Sequence, residues 1–511
     1  MGYKGGEMTS VFENRIKLET GLWMGAMCLA AIVLGYMLAE NSYLALAGVL
    51  AVIGVLLLPY HSKIAIGVSV TTFTAALIVP FFPGRPLFWE FAALLGWSGL
   101  VTTISMRRYA TDAWNIILAN RNLFLGVIGY FVVLLITMRY RGFGFRIMGG
   151  DQMGGRFYFQ QMTCAIFPLL FVLCPVKEST LVKLFVAQCV LSATFLISDY
   201  AFSVAPKQLY FLLQFFELSG DAANFEVQAQ QFGLRRFQSL YVCSAGYLFL
   251  LFVSIELRQL FTIRRILWLP VALGLLGVGL LSGHRYLIMI LMIALPFCAY
   301  SQRFYSMKNV VVSGVVLGTG ILFLYGYADR LPLTLQRAVS VLPGISISYV
   351  AREDGMGSLE TRRIMRRVGM EMMPQYFWLG RGFGRYVDFY ATQWDTSSGT
   401  AQANQGVFFN GFIGLMVNTG VFGTIFMLTF LFAGTALAWR IMLIVRHQGC
   451  GDKFLRMCSV VTGIWMANVI AFLFLHGDSE YAMKTFSLQA GMLLACHYHI
   501  KRRERALAVN G

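Results

Sequence analysis

The sequence predicts an all-α polytopic membrane protein, and three observations support this fold class. The chain has 511 residues, of which 58% are hydrophobic and only 13% are charged, a balance typical of proteins that span a bilayer repeatedly. Apolar runs of about 17–22 residues recur along it, the length that crosses about 30 Å of hydrocarbon as a helix. The ten-residue alternation that marks a membrane β-barrel does not occur.

The apolar runs predict about 12–14 transmembrane helices. The runs lie near 21–38, 43–60, 64–82, 87–104, 122–138, 159–173, 181–198, 238–255, 266–281, 286–300, 309–326, 412–439, 457–475 and 482–499. Residues 1–326 would hold helices 1–11 with two shorter outward loops, 139–157 and 199–236. Residues 327–405 would form one long outward loop, and 406–511 would hold helices 12–14 and a short basic tail. We expect no cleaved signal peptide, because the first run lacks a small-residue cleavage site.

The basic residues predict an orientation and a ligand class. Short connections such as MRRY, IRR and KRRER place both termini in the cytoplasm by the positive-inside rule. Inward connections then hold 8 Lys and 14 Arg, whereas outward ones hold 2 Lys and 17 Arg. Insertion into a membrane does not distinguish the two cations, but the planar guanidinium fork suits phosphate. The outward excess of arginine indicates an anionic ligand, although single arginines could instead anchor the chain at the interface.

Three outward segments supply candidate binding residues. One is the glycine-rich stretch RYRGFGFRIMGGDQMGGR, with Arg141 and Arg146; another is GLRRFQS, with Arg235 and Arg236. The third is the tight turn SGHR, in which His284 and Arg285 interrupt an apolar run, where a charge is costly unless it faces water, a partner or a ligand. Loop 199–236 also carries three carboxylates that could act as a general base: Glu217, Asp221 and Glu226.

The long outward loop contains a predicted amphipathic helix, GSLETRRIMRRVGMEMM (357–373), with Ser358 as its N-cap. Four arginines fall on one arc of this helix: Arg362, Arg363, Arg366 and Arg367. They could face a polar ligand, or the helix could lie on anionic lipid. A glycine turn carrying Arg381 and Arg385 follows in PQYFWLGRGFGRY.

Cysteine and histidine spacing argues against a metal site. The nine cysteines are scattered, mostly within apolar runs, and the six histidines form no HExxH motif. We therefore expect no metal, no disulfide and no cofactor. We also expect no nucleic acid among the partners.

The outward segments resemble the superfamily of O-antigen polymerases and O-antigen ligases of bacterial envelope membranes. SGHR matches the family's polar turn at Arg285, and TRRIMRRVGMEMMPQYFWLGRG is similar to its arginine-led helix, with Arg362 at the family's Arg position. NGFIGLMVNTGVFG matches the element that opens the next span, with Gly420 and Gly423 in register. The family's His position holds Asn410, an amide that cannot act as a base, and His284 is a candidate substitute. The match covers roughly 280–425.

This resemblance implies a GT-C-like, metal-independent glycosyltransferase in the bacterial inner membrane, with its active site facing the periplasm. The donor would be an oligosaccharide on a polyprenyl diphosphate such as undecaprenyl diphosphate. The reaction would polymerise repeat units into O-antigen or exopolysaccharide, or alternatively ligate the glycan to lipid A core in lipopolysaccharide synthesis. Besides this donor and membrane lipid, a flippase and a chain-length regulator are expected partners.

A polysaccharide or anion transporter is the rival class, although the sequence shows no repeated halves. Arg285, Arg362, Asn410 and His284 are the catalytic candidates, and the remaining named arginines are substrate-binding candidates: Arg235, Arg236, Arg363, Arg366, Arg381, Arg385, Arg141 and Arg146.

Overall fold

The computed structural model describes most of the chain after residue 52. The described residues are 48, 52, 54–80, 85–107, 109, 112–143, 152–204, 207–218, 237–262, 265–340, 342–383, 385–386, 399–404 and 406–510. Two compact units are distinguished, Met1–His61 and Ser62–Gly511. Of the first unit, little beyond the 3₁₀-helix Leu58–Tyr60 is described. The predicted span 21–38 lies outside the described residues, as does half of 43–60.

Helices dominate the described residues. They are α1 (His61–Thr72), α2 (Phe88–Ser105), α3 (Ala113–Ala119), α4 (Arg121–Arg141), α5 (Gly155–Cys164), α6 (Phe167–Leu173), α7 (Glu178–Leu191), α8 (Thr194–Val204), α9 (Gln238–Ser254), α10 (Trp268–Leu280), α11 (Tyr286–Ser301), α12 (Met307–Tyr327), α13 (Leu333–Val339), α14 (Tyr349–Met372), α15 (Gly399–Asn404), α16 (Gly411–Gln448), α17 (Lys453–Ile470) and α18 (Ala482–Asn510). Two short strands, β1 (Gln152–Met153) and β2 (Arg385–Tyr386), pair antiparallel. Short 3₁₀ turns lie at Tyr210–Gln214, Leu257–Phe261, Ala328–Arg330 and Ser479–Tyr481, and a π-helix covers Ala471–Leu475.

Six helical stretches in the described part are long and apolar enough to cross a membrane. They are Arg121–Arg141, Gly155–Leu173, Glu178–Ser203, Met307–Arg330, Gly411–Gln448 and Lys453–Leu475. Each contains one of the predicted spans. Three predicted spans coincide with shorter apolar helices, Ser239–Ser254, Trp268–Leu280 and Tyr286–Ser301. The helical membrane character predicted from composition is therefore confirmed.

The long helix α16 lies in the core of the second unit, where it packs against α4 and α17. Gly126 of α4 touches the backbone of Phe430, since a Cβ at this glycine would lie 2.5 Å from the Phe430 nitrogen. Small residues of this kind allow two helices to approach closely in a membrane. The middle of α16 is thereby held close against α4.

Helix α16 is interrupted at Gly420, whose φ of 68° and ψ of −172° leave the helical region. The glycine turn after α14 supplies the missing hydrogen bonds: Val421 N–H donates to the Phe377 carbonyl at 2.7 Å, and Arg381 N–H donates to the Val417 carbonyl at 2.8 Å. A Cβ at Gly420 would lie 2.3 Å from the Trp378 carbonyl oxygen, so only glycine fits. Irregular backbone is tolerated within a membrane protein where other protein groups satisfy it, as here.

The amphipathic helix predicted over 357–373 exists, but its predicted N-cap is wrong. Helix α14 begins at Tyr349, and the Ser348 hydroxyl caps it by accepting the Ala351 N–H at 3.3 Å. Ser358 lies inside the helix. The sequence pattern missed the first turns because they are stabilised by tertiary contact, including the ion pair of Asp354 with Arg337 of α13.

Candidate functional site

The turn before α11 is held in place by a buried ion pair. Gly283 adopts a φ of 71°, which favours glycine, and its carbonyl accepts a hydrogen bond from Arg337 Nη1 at 2.5 Å. Arg337 in turn donates to the Asp354 carboxylate of α14, and both side chains are less than a tenth exposed, at 8% and 7%. The predicted catalytic pair His284 and Arg285 therefore stands on a rigid support.

Arg285 lies half-buried against α13 and α14. Its Nη2 donates to the Ser340 hydroxyl at 2.7 Å, and its Nε donates to the Arg337 carbonyl at 3.3 Å. The guanidinium passes close to Gly355 of α14, where a Cβ would lie 2.5 Å from Nη2. Protein groups thus fix Arg285 on the surface of α14.

Arg362 shares the face of α14 that Arg285 touches. It follows Gly355 by seven residues, which is nearly two full turns, so the two positions align about 10 Å apart along the helix. The Arg362 guanidinium lies 5.4 Å from the centre of the Phe409 ring. Among the described residues it makes no hydrogen bond to a protein acceptor. Burial lowers the pKa of Arg362 and nearby Arg366 lowers it further, whereas Asp478 opposes both effects. A cation in this position would be stabilised by an anion.

The segment after α17 brings two further titratable residues, His476 and Asp478, which the sequence interpretation did not select. The His476 ring stacks on Phe409, with centroids 4.7 Å apart, and meets Tyr286 edge-on at 5.5 Å. Asp478 accepts a hydrogen bond from the Phe409 backbone. The available signal was a polar run, HGDSEY, directly after an apolar span.

Burial shifts the pKa values of these two residues in opposite directions. It lowers the pKa of His476 to about 4, and the electrostatic influence of Arg362 and of neighbouring His284 acts in the same direction. Burial raises the pKa of Asp478 to about 6, against the opposing effects of the Phe409 N–H and Arg362. At neutral pH the imidazole is therefore neutral and the carboxylate is largely ionised. His284 and Arg362, far apart in sequence, both lie within electrostatic reach of His476.

Phe409 and Asn410 immediately precede α16 and lie at this site. Phe409 has a φ of 45°, which is strained for an aromatic residue. The Asn410 side chain caps α16 by accepting the Ile413 N–H at 3.0 Å. Its oxygen is therefore already used by the backbone. Nearby His284 packs its ring against Tyr241, at 5.2 Å between centroids.

The remaining predicted arginines are distributed around this site. Arg366 is half-buried and donates to the Leu475 carbonyl at 3.4 Å, whereas Arg363 is exposed and pairs with Glu360 at 3.4 Å. Arg381 donates to the Asn404 carbonyl at 3.0 Å. Arg366 therefore lies near Arg362, whereas the exposed Arg363 faces away from Arg362.

Arg141 holds the glycine turn that follows α14, and Arg385 lies in the short strand after it. Arg141 Nε donates to the Gly380 carbonyl at 2.9 Å, and its guanidinium lies 5.7 Å from the centre of the Tyr376 ring. The backbone of Arg385 pairs with Met153 across the two strands, which joins two of the arginine-rich segments. Three predicted arginines lie outside the described residues: Arg146, Arg235 and Arg236.

Of the candidate carboxylates in loop 199–236, only Glu217 is described, and it lies in a second polar cluster. Burial raises its pKa, while the charges of Lys484 and Arg156 lower it and Glu90 raises it. Lys484 Nζ lies 4.6 Å from the centre of the Trp89 ring, and Arg156 pairs with Glu90 at 3.2 Å. Asp221 and Glu226 lie outside the described residues.

Within the described part of the chain, no group of three or more His, Cys, Asp or Glu residues is arranged to hold a metal ion. No protein-family model matches the chain, and no curated protein matches it. What this protein does must therefore be argued from the geometry of the site.

Proposed function

We propose that the chain is a glycosyltransferase that polymerises oligosaccharide repeat units carried on a polyprenyl diphosphate. The observation that carries the proposal is that Arg285 packs against the face of α14 on which Arg362 lies. Arg362 is half-buried, and among the described residues no protein group accepts a hydrogen bond from it. A guanidinium in that state matches the donor's diphosphate, which offers planar, charged acceptors.

The chemistry explains why the site needs fixed cations. Transfer breaks the bond between the anomeric carbon and the diphosphate oxygen, and negative charge develops on the departing diphosphate. Guanidinium groups that the fold already holds in place stabilise that charge more in the transition state than in the ground state. Arg285 is held by Ser340 and the Arg337 carbonyl, so it does not need to reorganise during the reaction.

The finer architecture belongs to the same proposal. We place the site at the periplasmic face of the bacterial inner membrane, in a GT-C-like arrangement of 12–14 spans with both termini in the cytoplasm. The donor lipid would lie along the apolar helices, and its head group would reach α14. A flippase and a chain-length regulator would act before and alongside this step.

A transporter is less consistent with the distribution of polar groups. Arg456 is a buried cation in the first turn of α17, whereas His476 follows the opposite end of that helix. It donates to the backbone carbonyls of Val253, Cys450 and Gly451 at 2.8–3.1 Å, so its charge is used to hold loops. The ligase alternative differs only in the acceptor, and the product analysis below distinguishes it.

The test is complementation of a strain that lacks the protein. Arg285→Lys and Arg362→Lys should each abolish long-chain polysaccharide while the protein remains in the membrane, because a point charge cannot replace the guanidinium fork. Arg367→Lys, an exposed change on the same helix, is the matched control. In the deletion strain, single repeat units indicate a polymerase, and intact polymer stranded on its lipid carrier indicates a ligase. Normal chain length in both Lys variants would refute the assignment.

A further inference from the structure

The buried polar atoms beside Arg362 that have no hydrogen-bonding partner within the described part of the chain include Nδ1 of His476 and Oδ1 of Asp478, together with Nε of Arg366 on α14. The amide oxygen of Asn418, whose Nδ2 donates to Ser479 at 2.8 Å, is a further such atom. Buried polar groups in native proteins are nearly always paired. These orphaned atoms on or beside one short segment therefore indicate a missing partner.

We infer that His476 and Asp478 bind the acceptor sugar, and that Asp478 removes the proton from its attacking hydroxyl. This inference rests on the proposed function and names a second part of its site. A sugar hydroxyl suits the two atoms, because it can donate to the carboxylate while its lone pairs accept from an imidazole N–H. A phosphate would not suit them, because the ionised carboxylate would repel it.

Charged and titratable groups lie on both sides of Asp478. Arg362 acts on Asp478 from α14, and Arg366 lies beside Arg362 on the same helix. His284, from the turn before α11, acts on His476, and both His476 and Glu480 lie on the same segment as Asp478. Arg362 and Asp478 affect each other's pKa, yet no direct hydrogen bond joins these two described side chains. The donor diphosphate would occupy the cationic side and the neutral hydroxyl the carboxylate side, so the reacting carbon would lie between them.

Phe409 positions the imidazole for this role. Its ring stacks on His476 at 4.7 Å and lies 5.4 Å from the Arg362 guanidinium, so it separates the two groups. Tyr286 contacts His476 from another direction. Strained backbone such as that of Phe409 is retained where the surrounding structure requires it, and functional sites are the usual place.

The step balances without a co-reactant. The acceptor oxygen forms a bond to the anomeric carbon as the bond from that carbon to the diphosphate oxygen breaks, and the leaving diphosphate keeps the electron pair. The hydroxyl proton passes to the Asp478 carboxylate, which later releases it to water. His476 stays neutral and orients the acceptor oxygen.

The pH dependence follows from this assignment. Asp478 must be ionised to accept a proton, and burial raises its pKa to about 6, so turnover should rise with pH through that value. His476 has a pKa of about 4, so it contributes no change in charge between pH 5 and 8.

The test uses the full-length protein in liposomes with a lipid-linked repeat unit as the substrate, between pH 5 and 8. Asp478→Asn should lower turnover about a hundredfold or more and remove the acidic limb, while binding of polyprenyl diphosphate is unchanged. Removing this buried charge is not expected to unfold the protein, because burial disfavours the ionised form. Glu360→Gln, an exposed carboxylate on α14, is the control and should match the wild type.

Asp478→Glu provides a second variant that keeps a carboxylate. It should retain part of the activity and a displaced acidic limb. Wild-type turnover and pH profile in Asp478→Asn would overturn the inference and leave the proposed function standing. Absence of turnover by the wild type with every lipid-linked donor would instead refute the proposed function, and this inference with it.

Discussion

Gly355→Ala should displace the Arg285 side chain while Arg285 itself stays unmutated. The added Cβ would lie 2.5 Å from Arg285 Nη2 and 2.8 Å from the Ser340 hydroxyl oxygen, both closer than real Cβ atoms come. The guanidinium is the flexible partner, so it must move and lose its 2.7 Å bond to Ser340. A hydrogen bond to a charged group contributes about 1.5–3 kcal/mol. If the donor diphosphate depends on that placement, turnover should fall about tenfold to a hundredfold.

The matched control is Gly357→Ala, two residues further along α14. A Cβ there meets no atom within 4 Å. Both substitutions replace a helical glycine and gain about 1 kcal/mol of helix propensity, but in Gly355→Ala the lost hydrogen bond of Arg285 offsets that gain. An unchanged unfolding temperature in Gly355→Ala would exclude loss of folding as the cause of lower activity. The assay is turnover of a lipid-linked repeat unit, with thermal unfolding measured on the same samples. Equal turnover in the two variants would show that the position of Arg285 is irrelevant to the reaction.

Three further predictions concern the residues that support the site. Gly420→Ala should lower the free energy of unfolding by several kcal/mol, because its Cβ would lie 2.3 Å from the Trp378 carbonyl oxygen. Gly318→Ala, whose Cβ would have no atom within 4 Å, is the control, and similar melting temperatures of the two variants would contradict the role given to the break in α16. Asn410→Ala should cost about 1 kcal/mol and Asn410→Ser should restore it, as expected for a helix cap; equal stability of the two variants in thermal unfolding would contradict that role. Asp354→Asn should destabilise the protein by about 3 kcal/mol, because it removes the carboxylate partner of the buried Arg337, and an unchanged unfolding midpoint in denaturant would argue against this support for the turn.

The membrane helices could be predicted from sequence because their signal is local. Composition and run length located six spans, since each of the six long apolar helices contains a predicted one. They were wrong for 64–82, where the helix ends at Thr72 and where Leu77 and Ile78 form β-bridges. The amphipathic period also located α14. It failed at the start of that helix, since the first turns are stabilised by Arg337 from another segment, a contact that no local pattern records.

The cationic half of the proposed site could be suggested from sequence because Arg285 and Arg362 stand out against their surroundings. A charged arginine in an apolar turn costs free energy unless it has a partner, and the sequence alone shows this. The clustering of arginines on one face of a predicted helix is also visible in the sequence. Sequence could not separate them from Arg141, which donates to the Gly380 carbonyl. A guanidinium that holds backbone and one that holds a ligand have the same local pattern.

The remaining half of the site was not predictable. His476 and Asp478 meet Phe409 and Arg362 only in the fold, across more than sixty residues of chain in each case. Their role depends on burial and on orphaned atoms, which are tertiary properties. The polar run HGDSEY would follow an apolar span in the same way whether or not its side chains contact a ligand, so the sequence does not distinguish the two cases.

The most direct test of the account is the affinity of the purified protein for polyprenyl diphosphate, compared with polyprenyl monophosphate, at low and high ionic strength. The account predicts that the diphosphate binds more tightly. It also predicts that Arg285→Ala and Arg362→Ala each weaken that binding about tenfold or more, whereas exposed Arg367→Ala leaves it unchanged. Equal affinity for the diphosphate in all four proteins would contradict the claim that Arg285 and Arg362 hold the donor.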